Sequence, residues 1–170
     1  MTIAIIGAGT LGTSLAAEFA RRGLECRVIS RGAPHAPLPA GVKHVRADAR
    51  DVTRLADAIA DAAVVVQTSQ PAYTRWTEEF PLLQEAVLAA AEKAGARLVL
   101  ADNLYMYGAG DGGVITDAAP EAPCSTKGEL RRTMAADALA AHRAGRVQVV
   151  LTRPSNYLGA SYPFTRSLLT

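Results

Sequence analysis

The apolar positions of this chain form short continuous runs that alternate with stretches of helical spacing. Residues 2–7 (TIAIIG) are an apolar, β-branched run closed by glycine, the pattern of a strand buried on both faces. Residues 10–22 place Leu11, Leu15 and Phe19 on one helical face, and Gly23 stops the helix. Residues 25–30 (ECRVIS) predict a second strand. The following stretch, RGAPHAPLPAG, carries three prolines and excludes regular structure. Residues 42–46 predict a third strand, 51–60 a helix and 62–68 (AAVVVQT) a fourth strand. Residues 78–94 stack Leu83, Val87 and Ala91 and end at Gly95, and residues 97–101 predict a fifth strand. Residues 109–125, rich in Gly, Pro and Asp, read as loop. A long helix covers 127–144, with Leu130, Met134 and Ala138 as its core stripe and Arg131 and Arg132 on a solvated face. Residues 147–152 predict a sixth strand, and 153–170 carry no complete element.

Strands that alternate with helices pair in parallel, because each crossover needs a helix between successive strands. Right-handed crossovers then give an α/β, doubly wound parallel sheet with helices on both faces and strand order 3-2-1-4-5-6. The expected division is one α/β domain over residues 1–152, with residues 153–170 beyond it. Composition narrows the class. The chain has 170 residues, 49% of them hydrophobic and 20% charged, which is too apolar for disorder and enough for one core. A net charge of +2 with no basic run gives no reason to expect a nucleic-acid partner. No apolar run approaches the ~20 residues of a membrane span, and no signal peptide is apparent, so a cytoplasmic protein is expected. His35, His44 and His142 lack ligand spacing, and Cys26 and Cys124 form no cluster, so no metal is expected.

The sharpest motif is Gly7-Ala8-Gly9-Thr10-Leu11-Gly12, a G-x-G-x-x-G between the first strand and the first helix. Gly7 permits the tight turn, Gly9 lets a pyrophosphate approach the backbone, and Gly12 lets helix and strand pack closely. Thr10 and Leu11 open a helix whose free N–H groups and positive dipole end face the anion. This is the Rossmann-type signature of a dinucleotide site. An acid about 20 residues past the turn would bind the ribose 2′-hydroxyl of NAD. The chain has Ser30-Arg31 there instead, and a guanidinium forks onto a 2′-phosphate. NADP is therefore the expected cofactor, with NAD as the alternative. Asp48, after the third strand, either accepts from an adenine amino group or caps the next helix, for which Asp51 is the better cap.

Together these residues resemble the short-chain dehydrogenase/reductase superfamily, in particular atypical members of the NAD-dependent epimerase/dehydratase family. The residues that carry the resemblance are Gly7, Gly9 and Gly12, Asp48-Ala49-Arg50-Asp51, and the run Ala101-Asp102-Asn103-Leu104-Tyr105-Met106-Tyr107-Gly108. Lys127 and Arg153-Pro154-Ser155-Asn156-Tyr157-Leu158-Gly159 complete the set. The resemblance implies hydride chemistry on a nicotinamide, a tyrosine that exchanges the substrate proton, a serine or threonine that orients the substrate oxygen, and a lysine that binds the nicotinamide ribose. The lysine matches Lys127. The tyrosine position falls on Pro123, which exchanges no proton, and the serine position falls on Asn103, whose amide can still donate a hydrogen bond.

Tyr105, at the carboxyl end of the fifth strand, is the candidate replacement acid, whereas Tyr107 matches a structural tyrosine. Asp102 is either a buried base or a loop hydrogen-bond partner. Gln70-Pro71-Ala72-Tyr73 implies a loop beside the cofactor. Tyr73 and Trp76 are candidates to line the substrate side, with core packing or a helix-start anchor as the alternative for Trp76. Asn156 either meets the ligand or closes its loop. Cys124, beside Pro123, is a reactive thiol only if Lys127 activates it. The expected function is thus an NADP-dependent oxidoreductase or epimerase/dehydratase-like enzyme for a small hydroxyl or carbonyl substrate such as a nucleotide sugar. Two alternatives stand beside it: a non-catalytic NADP-sensing module, motivated by Pro123, and a truncated product with cofactor affinity only. The Ala-rich faces of the two long helices suit a homodimer.

Overall fold

The computed structural model describes residues 1–109, 113–116, 118–155 and 157. Asn156 and residues 158–170 lie outside the described residues. Six strands, β1 (Thr2–Ile6), β2 (Cys26–Ser30), β3 (Lys43–Arg46), β4 (Ala62–Gln67), β5 (Arg97–Ala101) and β6 (Val149–Thr152), form one sheet in the order β3-β2-β1-β4-β5-β6. Every pairing is parallel, with Ile5 opposite both Val28 and Val66 at the centre. The order is the doubly wound one that the alternation of elements predicts.

Four α-helices connect the strands: α1 (Thr10–Arg21), α2 (Val52–Ile59), α3 (Trp76–Ala94) and α4 (Thr126–Arg143). The continuous apolar runs are explained by burial on both faces. Along β1, Ala4 and Ile6 pack toward α2, α3 and α4, while Ile3 and Ile5 pack toward α1 with Ala16 and Val28. Ile5, Ile6 and Ile29 are completely or almost completely buried, each contributing about 1.5–3 kcal/mol of transfer free energy. Among the described residues no helix is long and apolar enough to cross a membrane.

Two elements start two residues away from where the periodicity puts them. α3 begins at Trp76 rather than at residue 78, because a 3-10 turn (Tyr73–Arg75) leads into it and the Trp76 indole donates to the Pro71 carbonyl at 3.3 Å. β6 begins at Val149 rather than at residue 147, because the chain needs the intervening residues to leave α4. Gly145 turns at φ +72°, and the Gly145 and Arg146 amides close back on the His142 and Ala141 carbonyls.

The start of α2 settles which aspartate caps it. The Asp51 carboxylate accepts from the Arg54 amide at 3.0 Å, whereas Asp48 makes no cap. Asp51→Ala is expected to cost about 1 kcal/mol. Urea denaturation would show this as a lower midpoint with an unchanged slope.

Candidate functional site

A cleft of about 1290 Å³ runs along the carboxyl ends of the strands, where doubly wound sheets bind their ligands. Of the cofactor-site residues expected from the sequence, Gly7, Gly9, Thr10, Leu11, Gly12, Ser30, Arg31 and Asp48 line it, as do Asn103 and Tyr105. Lys127 does not.

The glycine turn has the geometry each position requires. Gly7 sits at φ +115°, and a Cβ there would lie 2.6 Å from Thr68 Oγ1 and 2.7 Å from the Ser69 nitrogen. At Gly12 a Cβ would collide with the Gly7 carbonyl oxygen. A Cβ on Gly9, by contrast, would meet nothing within 4 Å, so the space over the turn is open. Gly9 is also the N-cap of α1 and offers no side-chain cap. The first-turn N–H groups therefore remain directed at the cleft, a ready anion site. An open cradle over bare helix amides fits a dinucleotide pyrophosphate. Thr68 was not singled out by the sequence reading. Its hydroxyl donates to the Ile6 carbonyl at 3.1 Å and braces the turn from β4.

The far end of the cleft is basic. The Ser30 hydroxyl donates to the Gly32 carbonyl at 2.7 Å and lies 2.8 Å from His44 Nε2, so it shapes the loop. Arg31 is exposed, and its carbonyl accepts from the Arg46 guanidinium at 2.9 Å. Asp48 forks onto Arg50 at 2.9 and 3.2 Å. The Arg50 guanidinium, with a smaller effect from Arg31, holds the Asp48 carboxyl down at about 2.

The other end is aromatic. Tyr73, Trp76 and Phe80 meet edge to face at centroid distances of 5.1 and 5.2 Å, and Tyr105 lies 6.0 Å from Trp76. Trp76 thus both anchors the start of α3 and lines the cleft. Asn103 accepts from the Tyr105 amide at 3.0 Å through Oδ1. Tyr105 is half-buried, and burial together with the Tyr73 phenol raises its pKa. Lys127 lies in the first turn of α4, behind a Ser125 cap that accepts from Gly128 at 3.0 Å. Its ammonium sits 4.2 Å from the centroid of the Tyr73 ring. Gly128 lets this helix touch the Tyr105 segment, since a Cβ there would lie 2.5 Å from the Tyr105 carbonyl oxygen.

Arg131 corrects the sequence reading. It is not on a solvated face but 4% exposed, and its guanidinium pairs with Asp102 through Nε at 2.8 Å and through the terminal nitrogen Nη2. Its place one turn after Lys127 turns it inward, over the Phe80 ring at 4.6 Å. Its partner Asp102 is also held from the loop after β6, as the loop-partner alternative has it. Its second oxygen accepts from Arg153 at 3.2 Å, and Arg153 reaches on to the Tyr107 hydroxyl at 2.7 Å and to Glu121 at 2.9 Å. Both Asp102 oxygens thus face guanidiniums, and the Tyr107 hydroxyl belongs to the same network. Cys124 is exposed and Cys26 is buried, with its thiol pKa pushed up by burial.

Fold and cleft together define a doubly wound, Rossmann-like α/β domain with an open cleft at the carboxyl ends of its strands. A model of the NAD dependent epimerase/dehydratase family matches residues 3–170, and the chain belongs to that family. No curated protein matches it. UDP-glucose 4-epimerase from Brucella ovis, solved in complex with NAD, is 17% identical with a TM-score of 0.82, over 91% of this chain and 52% of that one. DesIV, a dTDP-glucose 4,6-dehydratase from Streptomyces venezuelae solved with NAD, is 22% identical with a TM-score of 0.82, over 95% and 57%. WbmG from Bordetella bronchiseptica, solved with NAD and UDP, is 26% identical with a TM-score of 0.75, over 92% and 54%. The chain thus spans about half the length of these structures.

Removal of the Asp102 carboxylate would strand the buried Arg131 guanidinium without its counter-ion. Asp102→Ala is expected to cost about 3–5 kcal/mol, read as a fall in the urea midpoint.

Proposed function

We propose that this chain binds a nicotinamide dinucleotide in the strand-end cleft and supports hydride chemistry on a hydroxyl or carbonyl substrate of nucleotide-sugar type. The observation that carries the reading is the cradle at Gly7, Gly9 and Gly12, closed to a Cβ at two positions and open at the third, over uncapped helix amides. Residues 1–152 are proposed as the dinucleotide domain and residues 153–170 as the start of the substrate-binding region. The solved relatives support the class of cofactor and substrate, since their structures hold NAD and, in WbmG, UDP.

NADP is the proposed form of the cofactor. No acid follows β2, Arg31 is exposed on the cleft wall, and Arg50 keeps Asp48 in its own ion pair. Thr10 and Leu11 would take the pyrophosphate on their backbone amides. Ser30 would shape the ribose-phosphate loop, and Asp48 would face the adenine. At the other end Asn103, Tyr105 and Lys127 are the proposed reacting-side residues. The Asn103 amide nitrogen would donate to the substrate oxygen, because its oxygen is already used on Tyr105. A bound dinucleotide would supply the hydride; the protein contributes orientation, exclusion of water and the proton. A second reading, a non-catalytic NADP sensor, is favoured by Pro123 at the family's tyrosine position.

Thermal shift with NADPH and NADH separates these statements. A ligand at 100 times its Kd stabilises by about 2.7 kcal/mol, so NADPH is expected to raise the melting temperature by several degrees. Arg31→Ala is expected to abolish the preference over NADH. Equal protection of the wild type by both would refute the NADP assignment, and protection by neither would refute dinucleotide binding.

A further inference from the structure

The family's lysine serves a tyrosine four residues before it, and in this chain Pro123 occupies that place. Yet the Lys127 ammonium is not left alone. It lies over the ring of Tyr73, a residue from a different element, between β4 and α3. We propose that Tyr73 is the phenol that exchanges a proton with the substrate oxygen, with Lys127 over its ring and Tyr105 behind it. The proposal rests on the dinucleotide-dependent reading above.

Three observations converge on Tyr73. First, it lines the cleft and is 55% exposed. Second, its ring is held from two sides, by the edge of Trp76 at 5.1 Å and by the ammonium at 4.2 Å. Third, its phenol neighbours that of Tyr105 and, with burial, favours the protonated form of Tyr105. Tyr105 is the weaker candidate for direct contact. It is half-buried, and burial and the neighbouring phenol both favour its protonated form. It is suited to donate a hydrogen bond to Tyr73 while Tyr73 gives up its own proton.

In the reducing direction the Tyr73 O–H bond breaks and an O–H bond forms on the substrate carbonyl oxygen. The electron pair for the carbon comes with the hydride of a reduced nicotinamide dinucleotide. The charge left on Tyr73 faces the Lys127 ammonium across the ring and accepts from Tyr105, and solvent returns the proton to the exposed hydroxyl. The oxidising direction reverses each step: Tyr73 accepts the substrate hydroxyl proton and the dinucleotide accepts the hydride.

Nitration by tetranitromethane, mapped by mass spectrometry on the full chain, tests this without turnover, because the reagent attacks the phenol as it loses its proton. Tyr73 is expected to react before Tyr105 and Tyr107. Lys127→Met should slow Tyr73 about two- to five-fold, the factor equivalent to an exposed cation–π contact, and Lys127→Arg should preserve the rate. A merely exposed tyrosine would be indifferent to Lys127, so an unchanged rate in Lys127→Met, or Tyr105 reacting first, overturns the proposal. In parallel, Trp76 fluorescence is titrated with NADPH and NADH. If neither binds the wild type, the underlying reading fails, whatever the nitration pattern. Where NADPH turns over with nucleotide sugars, Tyr73→Phe should lower kcat about 10²–10⁴-fold with dinucleotide affinity retained. An unchanged kcat in that variant also overturns the proposal.

Discussion

Asp102 is a carboxylate at the end of β5 with 1% of its side chain exposed, and much of the site depends on how its charge is met. A lone buried carboxylate is prohibitively costly, so the chain brings Arg131 from α4 and Arg153 from beyond β6 to its two oxygens. Glu121 then offsets the second guanidinium, so the four charges balance. Such a network adds little net stability compared with an apolar core, but it is expensive to break. Its effect is geometric: it fixes the middle of α4 against the end of β5. The first turn of the same helix carries Lys127, and the residues after β5 carry Asn103 and Tyr105. The distance between the ammonium and the phenols is therefore set by an ion pair one helical turn away.

The opposite end of the cleft is set by exclusion of atoms. Gly7 and Gly12 have no room for a Cβ, and Thr68 closes the turn from the neighbouring strand. Ile5, with Val28 on one side and Val66 on the other, holds β1 in the middle of the sheet, so the turn is aimed at the point where the strand order reverses. Backbone packing leaves a cradle there with no side chain of its own.

These two kinds of determinant explain what was legible in the sequence. The sheet order followed from apolar runs alternating with helical spacing, because burial on both faces leaves that signature directly in the chain. The glycine cradle was legible because each glycine answers a steric demand that no other residue meets. Arg131 was not. Helical periodicity sorts positions by polarity, and it places an arginine outside unless its counter-ion is known. That counter-ion lies 29 residues earlier in the chain, on another element. Tyr73 was seen only as a lining candidate, and its meeting with Lys127 depends on the packing of α4 beside the segment that follows β4. No local spacing encodes that contact. Lys127 itself was singled out as a candidate, but its partner was sought four residues upstream, where Pro123 stands.

The two ends of the cleft therefore respond differently to substitution. Around β2 and β3 the arginines are exposed or only part-buried, and exposed pairs of this kind contribute about 0–1 kcal/mol each. Substitutions there are expected to have little effect on folding. At the aromatic end the same substitutions are costly, because Arg131, Trp76 and Phe80 are buried and interlocked. Phe80 bears the Arg131 guanidinium on its ring and touches Trp76, which touches Tyr73, which bears Lys127. One stack of three rings flanked by two cations thus runs from the buried counter-ion of Asp102 to the exposed phenol. It carries the rigidity of the core to a hydroxyl that solvent and substrate can both reach, which is what a proton-exchanging group requires in a chain whose usual tyrosine position is proline.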